Sequence, residues 1–286
     1  MALIFAGVDG TGPDDDKVYA ETFKHSFVHT IYNLTPAANR YYHRGPTMAG
    51  FQTGPLAIAV TNFVLENIEK DKKAKVCLSG YSRGGAAVIR AAKNLDPLPV
   101  DYLVLFDAVD RSFVDAQSIP GNVKEVIHAK RDPKAGSREG FSNCGLSYDS
   151  KDTKKDVKEF YATHGGLGGT PWASDPSVNE NKAFAGLFGG TSGKWKQKIE
   201  ELTPDQAAKA EKAAKAASWI SNDAAAKIRA RTAIERYTNV TYEQDVDGAL
   251  ETWNWIAPRL LQRGIITNAN WPWANLKATL SAGKAS

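Results

Sequence analysis

A serine hydroxyl is a weak nucleophile near neutral pH. It becomes a strong one only where a base within hydrogen-bond reach takes its proton and a third group orients that base. Three residues of this 286-residue chain have the types for that work. Ser82 lies in Gly80-Tyr81-Ser82-Arg83-Gly84, His164 heads Gly165-Gly166-Leu167-Gly168-Gly169, and Asp107 follows the apolar run Leu103-Val104-Leu105-Phe106. The chemistry they could perform is acyl transfer: attack on a carbonyl carbon, a covalent acyl intermediate, and release by water.

The spacing around Ser82 is informative because of what surrounds it. Lys75-Val76-Cys77-Leu78-Ser79 reads as a strand and Gly85-Ala86-Ala87-Val88 as the start of a helix. A G-x-S-x-G segment between a strand and a helix is a nucleophile elbow, in which Gly80 and Gly84 are needed because side chains there would collide with the neighbouring backbone. The helix that follows aims its N-terminal N–H groups at the reacting centre, so the Arg83 N–H is a natural oxyanion donor. Ser79 belongs to the strand and lacks flanking glycines.

In this kind of site the base follows the last strand of the sheet. His164 fits, at the end of the run Glu159-Phe160-Tyr161-Ala162-Thr163. His128, the other histidine downstream of Ser82, sits inside Val126-Ile127-His128-Ala129 and reads as a packed core residue. For the acid, Asp107 and Asp132 compete. Asp132 follows the later strand, the usual position, but stands among Lys130, Arg131 and Lys134 and also reads as a solvated charge. Asp107 is hemmed in by apolar residues, where a carboxylate needs a reason to exist, and it is placed first.

A second oxyanion donor is expected from the loop after the first strand, Asp9-Gly10-Thr11-Gly12, with Gly10 and Thr11 as candidates. The same loop admits a rival reading, a phosphotransferase built on Asp9, although Gly7 stands where a phosphoaspartate motif needs another aspartate. Asp14-Asp15-Asp16 offers oxygens to calcium or, more simply, makes a solvated turn. No other cofactor and no metal site is expected.

The elements that must position these residues alternate through the first 170. Strands are predicted over 2–8, 27–34, 75–80, 102–106, 123–130 and 158–163, with helices over 55–70 and 83–94. Strands apolar on both faces indicate a buried parallel sheet. The predicted class is therefore α/β, an α/β-hydrolase fold with a mostly parallel central sheet flanked by helices. Two units are expected: a core over 1–170 and a helical, Trp-containing appendage over 171–286 packed on it. The appendage holds an Ala/Lys-rich helical segment over 204–236 and a tail with Trp253, Trp255, Trp271 and Trp273, read as packing residues ahead of membrane anchors.

Composition narrows the function. An excess of 36 basic over 32 acidic residues, with no basic stripe, argues against nucleic acid. Cys77 and Cys144 make neither a disulfide framework nor a zinc site. The N-terminus lacks a basic n-region and a long apolar stretch, so synthesis in the cytoplasm without a cleavable signal is expected, with signal-less secretion left open. No window reaches the roughly 18 apolar residues of a membrane span. A non-catalytic binding module on the same fold is the alternative from another class.

Several segments together resemble an uncharacterised α/β-hydrolase family that includes type VI secretion phospholipase effectors, whose members carry F-x-D-G-T and G-F-S-R-G-A motifs. Here these read Gly7-Val8-Asp9-Gly10-Thr11 and Gly80-Tyr81-Ser82-Arg83-Gly84-Gly85. The family's D-T-V corresponds to Asp107-Ala108-Val109, its H-A to His128-Ala129, and its late H-x-D-x-G-G to His164-Gly165-Gly166-Leu167-Gly168-Gly169. The resemblance covers about residues 1–170. It implies Ser82, Asp107 and His164 as a triad, lipid or other ester substrates, and secretion machinery or an immunity protein as partners; a lipase with a Trp-containing helical appendage would in addition make transient membrane contact. Gly166 departs from the family's aspartate and Ala108 from its threonine.

Overall fold

The computed structural model describes residues 2–36, 38–47, 50–112, 114–137, 143–171, 240 and 242–271. Six strands form one sheet: β1 (Leu3–Val8), β2 (Asn39–His43), β3 (Lys75–Tyr81), β4 (Val100–Phe106), β6 (Val123–Arg131) and β8 (Lys154–Phe160). Their order is β2-β1-β3-β4-β6-β8, and every neighbouring pair is parallel. The two-residue strands β5 (Ser118–Ile119) and β7 (Ser147–Tyr148) pair separately. The helices are α1 (Asp16–Phe23), α2 (Phe27–Leu34), α3 (Thr53–Lys70), α4 (Arg83–Asn94), the single turn α5 (His164–Leu167) and α6 (Tyr242–Gln262). This is the helix-flanked parallel sheet of the α/β-hydrolase fold.

Period-2 alternation assigns the two sheet faces. Ile4, Ala6 and Val8 of β1 pack with α3 and α4, whereas Phe5, with Cys77, Val104, Phe106 and Ile127, packs with α1, α2 and α6. On the second face α6 brings Trp253, Ile256 and Leu260, all buried, against the sheet, and Trp271 joins the same cluster. Each fully buried apolar side chain of this size stabilises the fold by about 1.5–3 kcal/mol. Trp253 and Trp271 are therefore committed to packing. Trp273 and the Ala/Lys-rich segment 204–236 lie outside the described residues.

The strand expected over 27–34 is instead the helix α2. Its aromatic and β-branched residues favour a strand on composition, but Phe27, Val28, Thr30 and Ile31 are buried at helical spacing and the Ser26 side chain accepts from His29 N as an N-cap. Topology requires a crossover at this point, because β1 and β2 are parallel and adjacent. The sixth strand, which takes the place of the mispredicted one, is β2, whose sequence Asn-Arg-Tyr-Tyr-His has no apolar run because it lies at the sheet edge. At the opposite edge β8 starts at Lys154, four residues before the expected 158, and is largely exposed. Asp15 of the acidic run N-caps α1, its side chain accepting from Lys17 N and Val18 N at 2.9 Å each. Among the described residues no helix is long and apolar enough to cross a membrane.

Candidate active site

A sharp strand-to-helix turn carries Ser82. It follows β3 directly and takes φ 56°, ψ −128°, a conformation that costs a non-glycine residue about 1–3 kcal/mol. The flanking glycines make the turn possible. A Cβ on Gly80 would stand 2.5 Å from the Gly84 carbonyl oxygen, and one on Gly84 would overlap the carbonyl oxygens of Val8 and Asp9. Ser82 N donates to Phe106 O at 3.1 Å, tying the elbow to the end of β4.

The end of β4 carries Asp107, also at positive φ (42°), with its N–H donating to Ala129 O at 2.7 Å. The end of β8 leads to α5 and His164. These three residues meet. Ser82 Oγ is 2.9 Å from His164 Nε2, and His164 Nδ1 is 2.6 Å from Asp107 Oδ2. All three are buried, Asp107 completely.

Electrostatics assigns the protons. Burial alone would raise the Asp107 pKa, but the Arg131 guanidinium at 3.1 Å, His164 and the Asn143 amide outweigh it and hold the carboxyl well below the usual range. An ionised carboxylate only accepts, so the imidazole proton sits on Nδ1 and the Nε2 lone pair faces the Ser82 hydroxyl. Arg131 NH1 lies 3.4 Å from the same Nδ1. Its NH2 donates to Asn143 Oδ1 at 3.3 Å, while Asn143 Nδ2 donates to Asp107 Oδ1 at 2.6 Å. His128 lies below this network with Nε2 accepting from Ala108 N at 3.4 Å, and burial lowers its pKa to about 4, so it stays neutral.

Asp132, the alternative acid, is placed differently: its side chain caps a 3-10 turn (Pro133–Ala135) by accepting from Lys134 N at 2.8 Å. Of the oxyanion candidates, Arg83 opens α4 immediately after Ser82. The Asp9–Gly12 loop runs alongside, with Gly10 against the Tyr81 ring and Gly84 against Asp9. Gly10 directs its N–H to Asp9 Oδ1 (2.9 Å), whereas Thr11 Oγ1 is buried without a hydrogen-bond partner. Asp9 is itself buried, and burial, only partly offset by hydrogen bonds from Ser26, Gly10 and Tyr42, raises its pKa to about 7.

Five further residues hold the site without having been singled out in the sequence. Arg131 and Asn143 bracket Asp107. Tyr81 OH donates to His164 O at 2.9 Å, Ser137 Oγ accepts from His164 N at 2.9 Å, and Asp245 of α6 binds Thr163. For Arg131 a signal existed: strand alternation points it inward if Lys130 points out, and Lys130 is half-exposed and paired with Glu159. For Asn143, Ser137 and Asp245 no local pattern could have found them, since each acts across a long sequence separation. Among the described residues, no group of three or more His, Cys, Asp or Glu side chains could hold a metal ion.

A scan against models of known protein families finds no match for the chain, and a search of curated proteins finds none. Solved structures similar to it share little sequence. A cutinase-like protein from Cryptococcus sp. is similar over 36% of this chain, at 13% identity and a TM-score of 0.25, and the chain spans about half, 52%, of that protein's length. A protein from Pectobacterium atrosepticum described as a YdeN-like hydrolase is similar over 59% of this chain and 85% of its own, at 15% identity and a TM-score of 0.33. An acetylxylan esterase is similar over 55% of this chain and 83% of its own, at 12% identity and a TM-score of 0.27.

Proposed function

We propose that the chain is a serine ester hydrolase that works through an acyl-enzyme on Ser82. The observation that carries this reading is the hydrogen-bonded line from Ser82 through His164 to Asp107, built on a strained elbow. Ser82 Oγ attacks the ester carbonyl as its proton passes to His164 Nε2. The Arg83 N–H and Thr11 stabilise the oxyanion, and Asp107 stabilises the imidazolium. Collapse of the tetrahedral intermediate expels the alcohol, which takes the proton from His164. Water then attacks the acyl-enzyme with the same base, releasing the acid and restoring Ser82. The finer reading is a lipid or phospholipid ester, supported by the resemblance of the Asp9-Gly10-Thr11 and elbow segments to a family with phospholipase members.

The phosphotransferase reading is disfavoured by the burial of Asp9, whose carboxyl accepts from Ser26, Tyr42 and Gly10 and has no open face for a nucleophilic role. Labelling with a fluorophosphonate probe tests the proposal. Ser82 is expected to be the labelled residue, and Ser82→Ala to abolish labelling and lower ester turnover by roughly 10⁴-fold or more. A folded wild-type chain that takes no label would refute it in favour of a binding module. A panel of phospholipids and short-chain soluble esters tests the finer reading, which fails if only the soluble esters are cleaved.

A further inference from the structure

The base sits on a weak support. α5 is one turn of four residues, and glycine occupies positions 165, 166, 168 and 169 around it. A short glycine-rich turn has little rigidity of its own. Its order comes from Thr163, which N-caps the turn: Thr163 Oγ1 accepts from Gly166 N at 3.1 Å. Thr163 is in turn gripped from the distant helix α6. Thr163 N donates to Asp245 Oδ1 at 2.6 Å and Thr163 Oγ1 donates to Asp245 Oδ2 at 2.7 Å, across 82 residues of chain.

Two independent features fit the same grip. Asp245 is 1% exposed, so its carboxyl is aimed inward from the first turn of α6. A Cβ on Gly166 would overlap that carboxyl, so glycine here makes room for an acid contributed by another segment. One turn further along α6, a Cβ on Gly248 would stand 2.7 Å from Tyr161 O, which shows how closely the helix approaches the loop leading to His164.

We infer that Asp245 is a positioning residue for the base: by holding Thr163 it fixes His164 against Ser82, which makes α6 part of the hydrolytic machinery. The inference rests on the reading of Ser82 as nucleophile and His164 as base. Misplacing a catalytic group by about 1 Å can lower the rate on the order of 100-fold.

The test uses the full chain with fluorophosphonate labelling, turnover of a soluble p-nitrophenyl ester, thermal unfolding, and the low-field proton resonance of the imidazole N–H shared with Asp107. Asp245→Ala is expected to remain folded, to label about 100-fold more slowly, to lose kcat more than KM, and to broaden or shift the low-field resonance. Asp245→Asn keeps an acceptor for Thr163 N and is expected to recover most of the loss. Wild-type labelling rates and an unchanged resonance in Asp245→Ala would overturn the inference, as would loss in proportion to the unfolded fraction with no rescue by asparagine. If Asp245→Ala does not fold, the isosteric Thr163→Val is compared with Thr163→Ser; the valine variant is expected to label about tenfold more slowly, and equal rates would overturn the inference. A wild-type chain that never labels refutes the hydrolase reading instead, and the resonance in the Asp245 variants then still decides the clamp.

Discussion

The proposed nucleophile and the proposed base are held in opposite ways. Most of what shapes the elbow lies within a few residues of Ser82: β3 before it, α4 after it, and glycines at 80 and 84 that let backbone approach backbone. His164 has almost no local scaffold. It is fixed by Tyr81, Asp107, Ser137 and, through Thr163, by Asp245. A locally built part concentrates its strain in one residue, whereas a part assembled from afar distributes its dependence over many contacts.

That contrast can be broken at several points. The largest expected effect is on the base side. Arg131→Met leaves the buried Asp107 carboxylate without its cation and should cost about 3–5 kcal/mol, read by urea unfolding. The pH dependence of stability should change as well. Burial raises the Asp107 pKa and the Arg131 guanidinium lowers it, so without Arg131 the loss of stability on acidification should set in at higher pH. An unmoved profile would mean that Arg131 does not hold the carboxylate ionised. On the elbow side, Gly84→Ala drives a methyl into the carbonyl oxygens of Val8 and Asp9. It should cost about 1–3 kcal/mol and slow the labelling of Ser82. The smallest effect is also the most local. Ser82→Gly relaxes φ 56° and should be about 1 kcal/mol more stable than Ser82→Ala, reversing the usual order of those two residues. Equal stabilities would show that the turn is not strained.

The same contrast governs how much could be read from the sequence. Gly80, Ser82 and Gly84 announce their turn because the elbow is a contiguous pattern with one physical solution. The meeting of His164 and Asp107 with Ser82 follows from the place of His164 after the last strand and the apolar setting of Asp107. Arg131 is harder to see because Lys130, Asp132 and Lys134 make the whole run look solvated, although a strand turns alternate residues to opposite sides. At α2 composition favours a strand while the spacing of the buried residues favours a helix, and the spacing prevails. β2 left no signal, since an edge strand need not be apolar. Asp245 could not be found at all, because nothing around position 245 refers to Thr163.

The docking of α6 also bears on the order in which the protein becomes competent during synthesis. Ribosomes deliver the chain from its N-terminus, and domains fold as their residues emerge. The six-stranded sheet has all its strands once Phe160 is out, and Ser82 and Asp107 can then take their places. The second face of that sheet, already packed by α1 and α2, still lacks Trp253, Ile256, Leu260 and Trp271. A nascent chain would thus display the Ser82 turn long before its histidine loop is clamped, and the proposed hydrolytic activity would arrive only with the docking of α6.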